Sequence, residues 1–137
     1  MKTQKIIYLL FAGLLILVIY IAKDTFSQPT LNDLEGNFTE LASYRNENNT
    51  GPIIRLYVVS ISDTLWNEME TYGDMMPHSK YGNTKIYFFP EGEDVPSDIT
   101  PVKPYFSTVY QSSCLALYEK TSMGDVRFTK FPFTVDQ

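Results

Sequence analysis

Near the middle of the chain, Ile53-Ile-Arg-Leu-Tyr-Val-Val-Ser-Ile61 runs directly into Ser62-Asp-Thr-Leu-Trp-Asn-Glu-Met-Glu70. The first half of this stretch is almost continuously apolar and rich in β-branched residues, the pattern of a strand buried on both faces. Its second half changes to helical spacing, with Leu65, Met69, Tyr72 and Met76 recurring on one side. Asp63, or Ser62 before it, is placed to cap that helix through a side-chain oxygen. A buried strand turning sharply into a helix predicts an α/β domain with its chemistry near the turn.

Downstream, the helix from about 63 to 76 ends at Pro77-His78, and Tyr81-Gly82-Asn83 makes a turn. Thr84–Phe89 reads as a second, aromatic strand. Residues 90–104 form an acidic, proline-punctuated loop carrying Glu91, Glu93, Asp94 and Asp98. Pro104 is positioned to open a short helix with Phe106, Val109 and Tyr110 inward. Cys114–Lys120 and Val126–Phe131 read as an antiparallel hairpin turning at Gly124. Upstream, Leu34–Arg45 reads as a short strand and turn, and Asn46–Gly51 as a loop. The order β-α-β-α-β-β predicts a small mixed sheet, parallel across the middle crossovers and antiparallel at the end, with a helix on each side.

Ahead of this domain, Ile6–Ala22 is an unbroken uncharged run, preceded by Lys2 and Lys5 and followed by Lys23 and Asp24. Such a run is short for a membrane span and long for a signal-peptide core. No Ala-x-Ala follows; Thr25-Phe26-Ser27 is the best cleavage candidate. The expectation is an uncleaved signal anchor over residues 1–23, with a cleaved signal peptide as the alternative. The flanking lysines place the N-terminus in the cytoplasm and the domain outside, in the periplasm or the extracellular space. Residues 24–52 are tether and lead-in, and 53–137 the extracytoplasmic domain.

Of 11 bases, Lys2, Lys5 and Lys23 lie at the apolar run, so residues 24–137 carry 16 acids against 8 bases. A balance near −8 argues against a phosphate-binding role, and so against a nucleic-acid partner, whose affinity rests on basic neutralisation. One cysteine, Cys114, permits no internal disulfide. With one histidine, His78, no zinc-ligand spacing exists, and no metal or cofactor is expected.

In this order of elements the chain resembles a thioredoxin-like domain, most closely the membrane-anchored thiol–disulfide reductases of the TlpA/ResA kind. Leu34-Glu-Gly36 with Leu41-Ala-Ser-Tyr44 resembles their lead-in. Tyr57–Met69 resembles their strand and active-site helix, and Cys114–Tyr118 with Gly124-Asp-Val their closing hairpin. The resemblance implies a Cys-x-x-Cys at the helix start, but Ser62 and Leu65 occupy those positions. Dithiol exchange needs a low-pKa thiolate and a second, resolving thiol, so the redox mechanism is lost by residue. Ser113 stands where the family has a cis-proline, and its closing helix is absent.

Four further sites are weighed on their residues. Ser62 with His78 as base fails, because a regular helix sets them roughly 24 Å apart. Cys114, expected near Ser62 in this fold, is either buried packing or a lone reactive thiol. Glu68/Glu70 and Glu91/Glu93/Asp94 lack the setting of catalytic or calcium-binding carboxylates and read as a solvated helix face and a solvated loop. Trp66 with Tyr72, Tyr81, Tyr105 and Tyr110 forms either an apolar partner patch or an aromatic-rich core, and of the adjacent Leu65 and Trp66 only one can point fully inward. The sequence therefore predicts a non-catalytic, membrane-tethered binding domain. Ser62, Asp63, Leu65, Trp66, Glu91, Glu93 and Asp94 form its partner surface; the alternative is a monothiol redox or thiol-binding protein acting through Cys114.

Overall fold

The computed structural model describes residues 1–27 and 29–134; Gln28 in the expected tether and residues 135–137 of the expected domain lie outside them. Two compact units divide at Thr30/Leu31. The first holds one helix, α1 (Lys2–Phe26), which ends three residues beyond the anchor expected to stop at Lys23. It has no buried residue, and its best 18-residue window has a mean hydropathy of 2.5. Among the described residues it is the one helix long and apolar enough to cross a membrane, and its position also suits a signal sequence.

The second unit is α/β. A 3-10 turn (Leu31–Asp33) leads into β1 (Thr39–Arg45), β2 (Ile54–Ile61), α2 (Trp66–Met75), β3 (Asn83–Pro90), β4 (Ala116–Lys120) and β5 (Val126–Lys130). The five strands form one sheet in sequence order, with β2 and β3 parallel and every other neighbouring pair antiparallel. The parallel pair requires a crossover, and α2 supplies it. β3, rather than β2, is the middle strand.

The second crossover departs from expectation. No α-helix opens at Pro104; a 3-10 helix (Thr108–Ser113) follows instead, and β4 runs antiparallel to β3. Tyr105, directly after Pro104, has φ of 60°, which no right-handed helix accommodates. One sheet face is therefore covered by α2 and the other by the 91–113 connection.

Strand alternation sorts the core into two layers. Tyr57, Val59, Ile61, Ile86, Phe88, Ala116 and Tyr118 meet Met69 and Tyr72 of α2. Leu56, Val58, Tyr87 and Phe89 meet Ile99, Phe106 and Cys114 on the opposite face. The loop expected to be solvated contributes Ile99 to this second layer, with Val95 packed against it, and Pro96 is buried too. Under α2 the approach is close: a Cβ on Gly73 would lie 2.3 Å from Tyr118 Cδ2. The Tyr118 hydroxyl donates to Asp74 at 2.7 Å, fixing ring and helix together.

Candidate functional site

The turn from β2 into α2 is built from backbone hydrogen bonds. Ser62 donates twice to the Gly36 carbonyl, from its N–H at 2.8 Å and its hydroxyl at 3.0 Å. The Asp63 carboxylate accepts from Thr64 N–H at 2.8 Å, and the Asp63 carbonyl accepts from Leu65 N–H at 3.0 Å. These bonds close a tight turn that uses up the expected cap. Helix α2 begins at Trp66, with Leu65 in the capping position and no side-chain cap.

Leu65 and Trp66 are both half-buried, so neither points fully inward. Trp66 reaches the outer hairpin: its ring meets Phe131 edge-on at 5.6 Å and Phe128 at 6.4 Å. Lys130 Nζ lies 4.8 Å from the ring centroid on a cation–π contact. The indole thus joins α2 to β5 and leaves part of its surface exposed. A cavity of about 330 Å³ lies beside it, lined by Thr64, Leu65, Trp66, Asn67 and Glu68.

Glu68 was read as part of a solvated face, yet it organises the lead-in. Its two carboxylate oxygens accept from Glu35 N–H at 3.2 Å and Gly36 N–H at 3.0 Å. The sequence signal was present in Leu34-Glu-Gly36, where a buried glycine precedes an aromatic; a Cβ on Gly36 would lie 2.8 Å from the Phe38 ring. Lead-in, turn and helix are therefore one locked unit.

The acidic residues fall at the same end of the sheet. Ile61 pairs with Pro90, and Glu91 N–H donates to the Ile61 carbonyl at 2.8 Å, which sets Glu91 beside the Ser62–Asp63 turn. Glu93 and Asp94 follow in an exposed turn around Gly92, whose φ is 84°. Among the described residues no group of three or more His, Cys, Asp or Glu side chains is arranged to hold a metal ion.

Cys114 is elsewhere. Expected near Ser62, it packs instead in the layer on the face opposite α2, among Leu56, Val58, Phe89 and Phe106. It is 2% exposed, and burial pushes the thiol up to about 12, far from a thiolate at neutral pH. His78 is equally remote from Ser62. Its Nδ1 lies 2.9 Å from Thr84 Oγ1, and Thr84 pairs with Arg55, seven residues before Ser62. At strand rise that is roughly 23 Å, so no serine–histidine pair assembles.

A groove that the sequence did not suggest lies on the face away from α2. It encloses about 490 Å³, lined chiefly by Tyr87, Tyr105, Leu117 and Phe133, with Lys85 and Lys103 at its polar margin. Its aromatics come from β3, the 91–113 connection and the segment after β5, so only the folded chain brings them together. Comparison with protein-family models, curated proteins and solved structures finds no match for this chain.

Proposed function

We propose that this chain is a membrane-tethered, non-catalytic binding domain, held by α1 with its N-terminus in the cytoplasm and the α/β unit outside. Its β2–α2–β3 unit and closing hairpin resemble the frame of thioredoxin-like reductases, here without their thiols. The observation that carries the reading is the state of the β2–α2 turn. Ser62 and Asp63 are engaged with backbone, Leu65 and Trp66 are packed, and the only thiol is sealed on the other face. A turn so built has nothing to transfer. It does present an acidic, partly aromatic rim formed by Asp63, Trp66, Glu91, Glu93 and Asp94.

Burial of Cys114 weighs against the alternative, a monothiol acting through that residue. The test is site-specific photo-crosslinking in intact membranes, with the crosslinker at Thr64 or Glu93 and, as control, at Asn48 in the β1–β2 loop. A discrete adduct from the two rim positions alone is expected. Equal labelling from all three positions, or none from the rim, overturns the reading.

A further inference from the structure

The face beneath α2 has a second end of opposite charge. Arg45 pairs with Arg55, Arg55 with Thr84, and Thr84 with Lys120, forming one row across four strands. Arg55, Thr84 and Lys120 share their face with Tyr57, Ile86 and Tyr118, the layer that packs on α2. Arg45 joins them, since its neighbour Tyr44 packs into the opposite layer. The chain leaving α2 crosses this row: His78 bonds Thr84, and Arg55 Nη2 donates to Ser79 Oγ at 3.3 Å. Lys80 and Tyr81 then line a cavity of about 320 Å³ with His78, Ser122 and Met123.

This arrangement opposes stability on three counts. Like charges directly opposite on neighbouring strands repel, and Arg45 faces Arg55. Among the described residues the one ion pair is Lys85–Glu119, on the other face, so no carboxylate pairs with Arg45, Arg55, Lys80 or Lys120. Arg55 Nε is buried and has no hydrogen-bond partner among the described residues. A buried donor without an acceptor is costly, and among the described residues the guanidinium that carries it is otherwise held by Ser79 alone. Tyr81, at the cavity, holds φ of 63°, a strained value for an aromatic residue. All this sits in a stretch, residues 24–137, whose acids outnumber its bases two to one, 16 against 8.

We propose that this end of the sheet binds a phosphate group, with the Arg55 guanidinium as its main ligand and Lys80 and Lys120 flanking it. A guanidinium edge matches a tetrahedral oxyanion through paired N–H donors. Several unneutralised cations in one place favour a multiply charged anion over a single carboxylate. The overall acidic charge still disfavours a nucleic acid, because the basic residues form one local cluster and not an extended track. A free phosphate monoester and the phosphodiester of a lipid headgroup share this chemistry.

The test uses the full-length chain in maltoside micelles, which contribute no phosphate. Its thermal midpoint is followed by Trp66 fluorescence while inorganic phosphate or glycerophosphoglycerol is added, against sodium chloride at matched ionic strength. At about ten times the dissociation constant, linkage predicts a rise of roughly 5–10 °C. Lys80→Gln and Lys120→Gln should each lose most of that rise, and Arg55→Gln all of it. Lys103→Gln, at the groove on the other face, should keep it. If Arg55→Gln fails to fold, the two lysine variants decide. A response to both compounds assigns a headgroup-type diester as an admissible ligand, and a response to inorganic phosphate alone assigns a free phosphate or monoester. No rise beyond that of chloride, or a full rise in both lysine variants, overturns the proposal.

Discussion

Gly73→Ala is the sharpest probe of how α2 sits on the sheet. An ideal Cβ at Gly73 lies 2.3, 2.4 and 2.5 Å from three atoms of the Tyr118 ring, more than 1 Å inside normal contact. The ring cannot yield easily. It is fully buried, and its hydroxyl is tied to Asp74, the next residue of the same helix. Overpacking of this kind costs about 1–3 kcal/mol, and the fixed ring puts this case at about 3. Alanine recovers about 1 kcal/mol of helix propensity over glycine, leaving a net loss of about 2 kcal/mol. For a domain of this size that lowers the melting midpoint by roughly 10 °C. Urea unfolding of the full chain in mild detergent measures it, with Trp66 as probe because its packing on Phe128 and Phe131 reports the tertiary fold. Adding Gly73→Ala to Tyr118→Ala should instead stabilise by about 1 kcal/mol, a coupling of about 3 kcal/mol across the cycle. If Gly73→Ala alone stabilises, as at an exposed helix position, the close approach of α2 to β4 is refuted.

Three other outcomes are expected. Glu68→Ala leaves the Glu35 and Gly36 N–H groups without their acceptor and should cost about 1 kcal/mol, with faster amide exchange at Gly36; unchanged exchange would contradict the clamp. Cys114 should resist alkylation at neutral pH until urea unfolds the domain, and fast labelling of native protein would contradict its burial. For His78, burial first, then the charges of Lys120 and Arg55, hold the imidazole below its usual value despite a hydrogen bond to the Thr121 backbone. The stability this contributes is present above the unfolded value of about 6.5 and is lost as pH falls through the lower folded value. His78→Asn should therefore flatten the acid side of the stability profile relative to wild type, and identical profiles would contradict it.

The sequence made legible what depends on neighbours along the chain. Ile53–Ile61 announced a buried strand because it offers no polar face, and its parallel pairing with the next strand followed from the intervening helix. The hairpin at Gly124 was visible from its turn glycine, which holds φ of 87°. Local rules failed where tertiary contacts compete with them. Asp63 is a good cap in isolation, but here its carboxylate and carbonyl close the preceding turn, which moves the helix start to Trp66. Pro104 suits the first turn of a helix, but the connection must instead cover Tyr87 and Phe89, and Tyr105 reverses it. Spacing along the chain sets Cys114 near Ser62, but alternation and register put it in the layer opposite α2, with Leu56, Val58 and Phe106. The cationic row was invisible for the same reason: only register brings Arg45, Arg55 and Lys120 into line.

The most direct test of a binding domain without thiol chemistry is the native complex in detergent-solubilised membranes, compared between wild type and Cys114→Ser. A complex larger than the chain itself is expected, of the same size and abundance in both and resistant to reductant. Loss of the complex in Cys114→Ser, or its release by reductant, would contradict it.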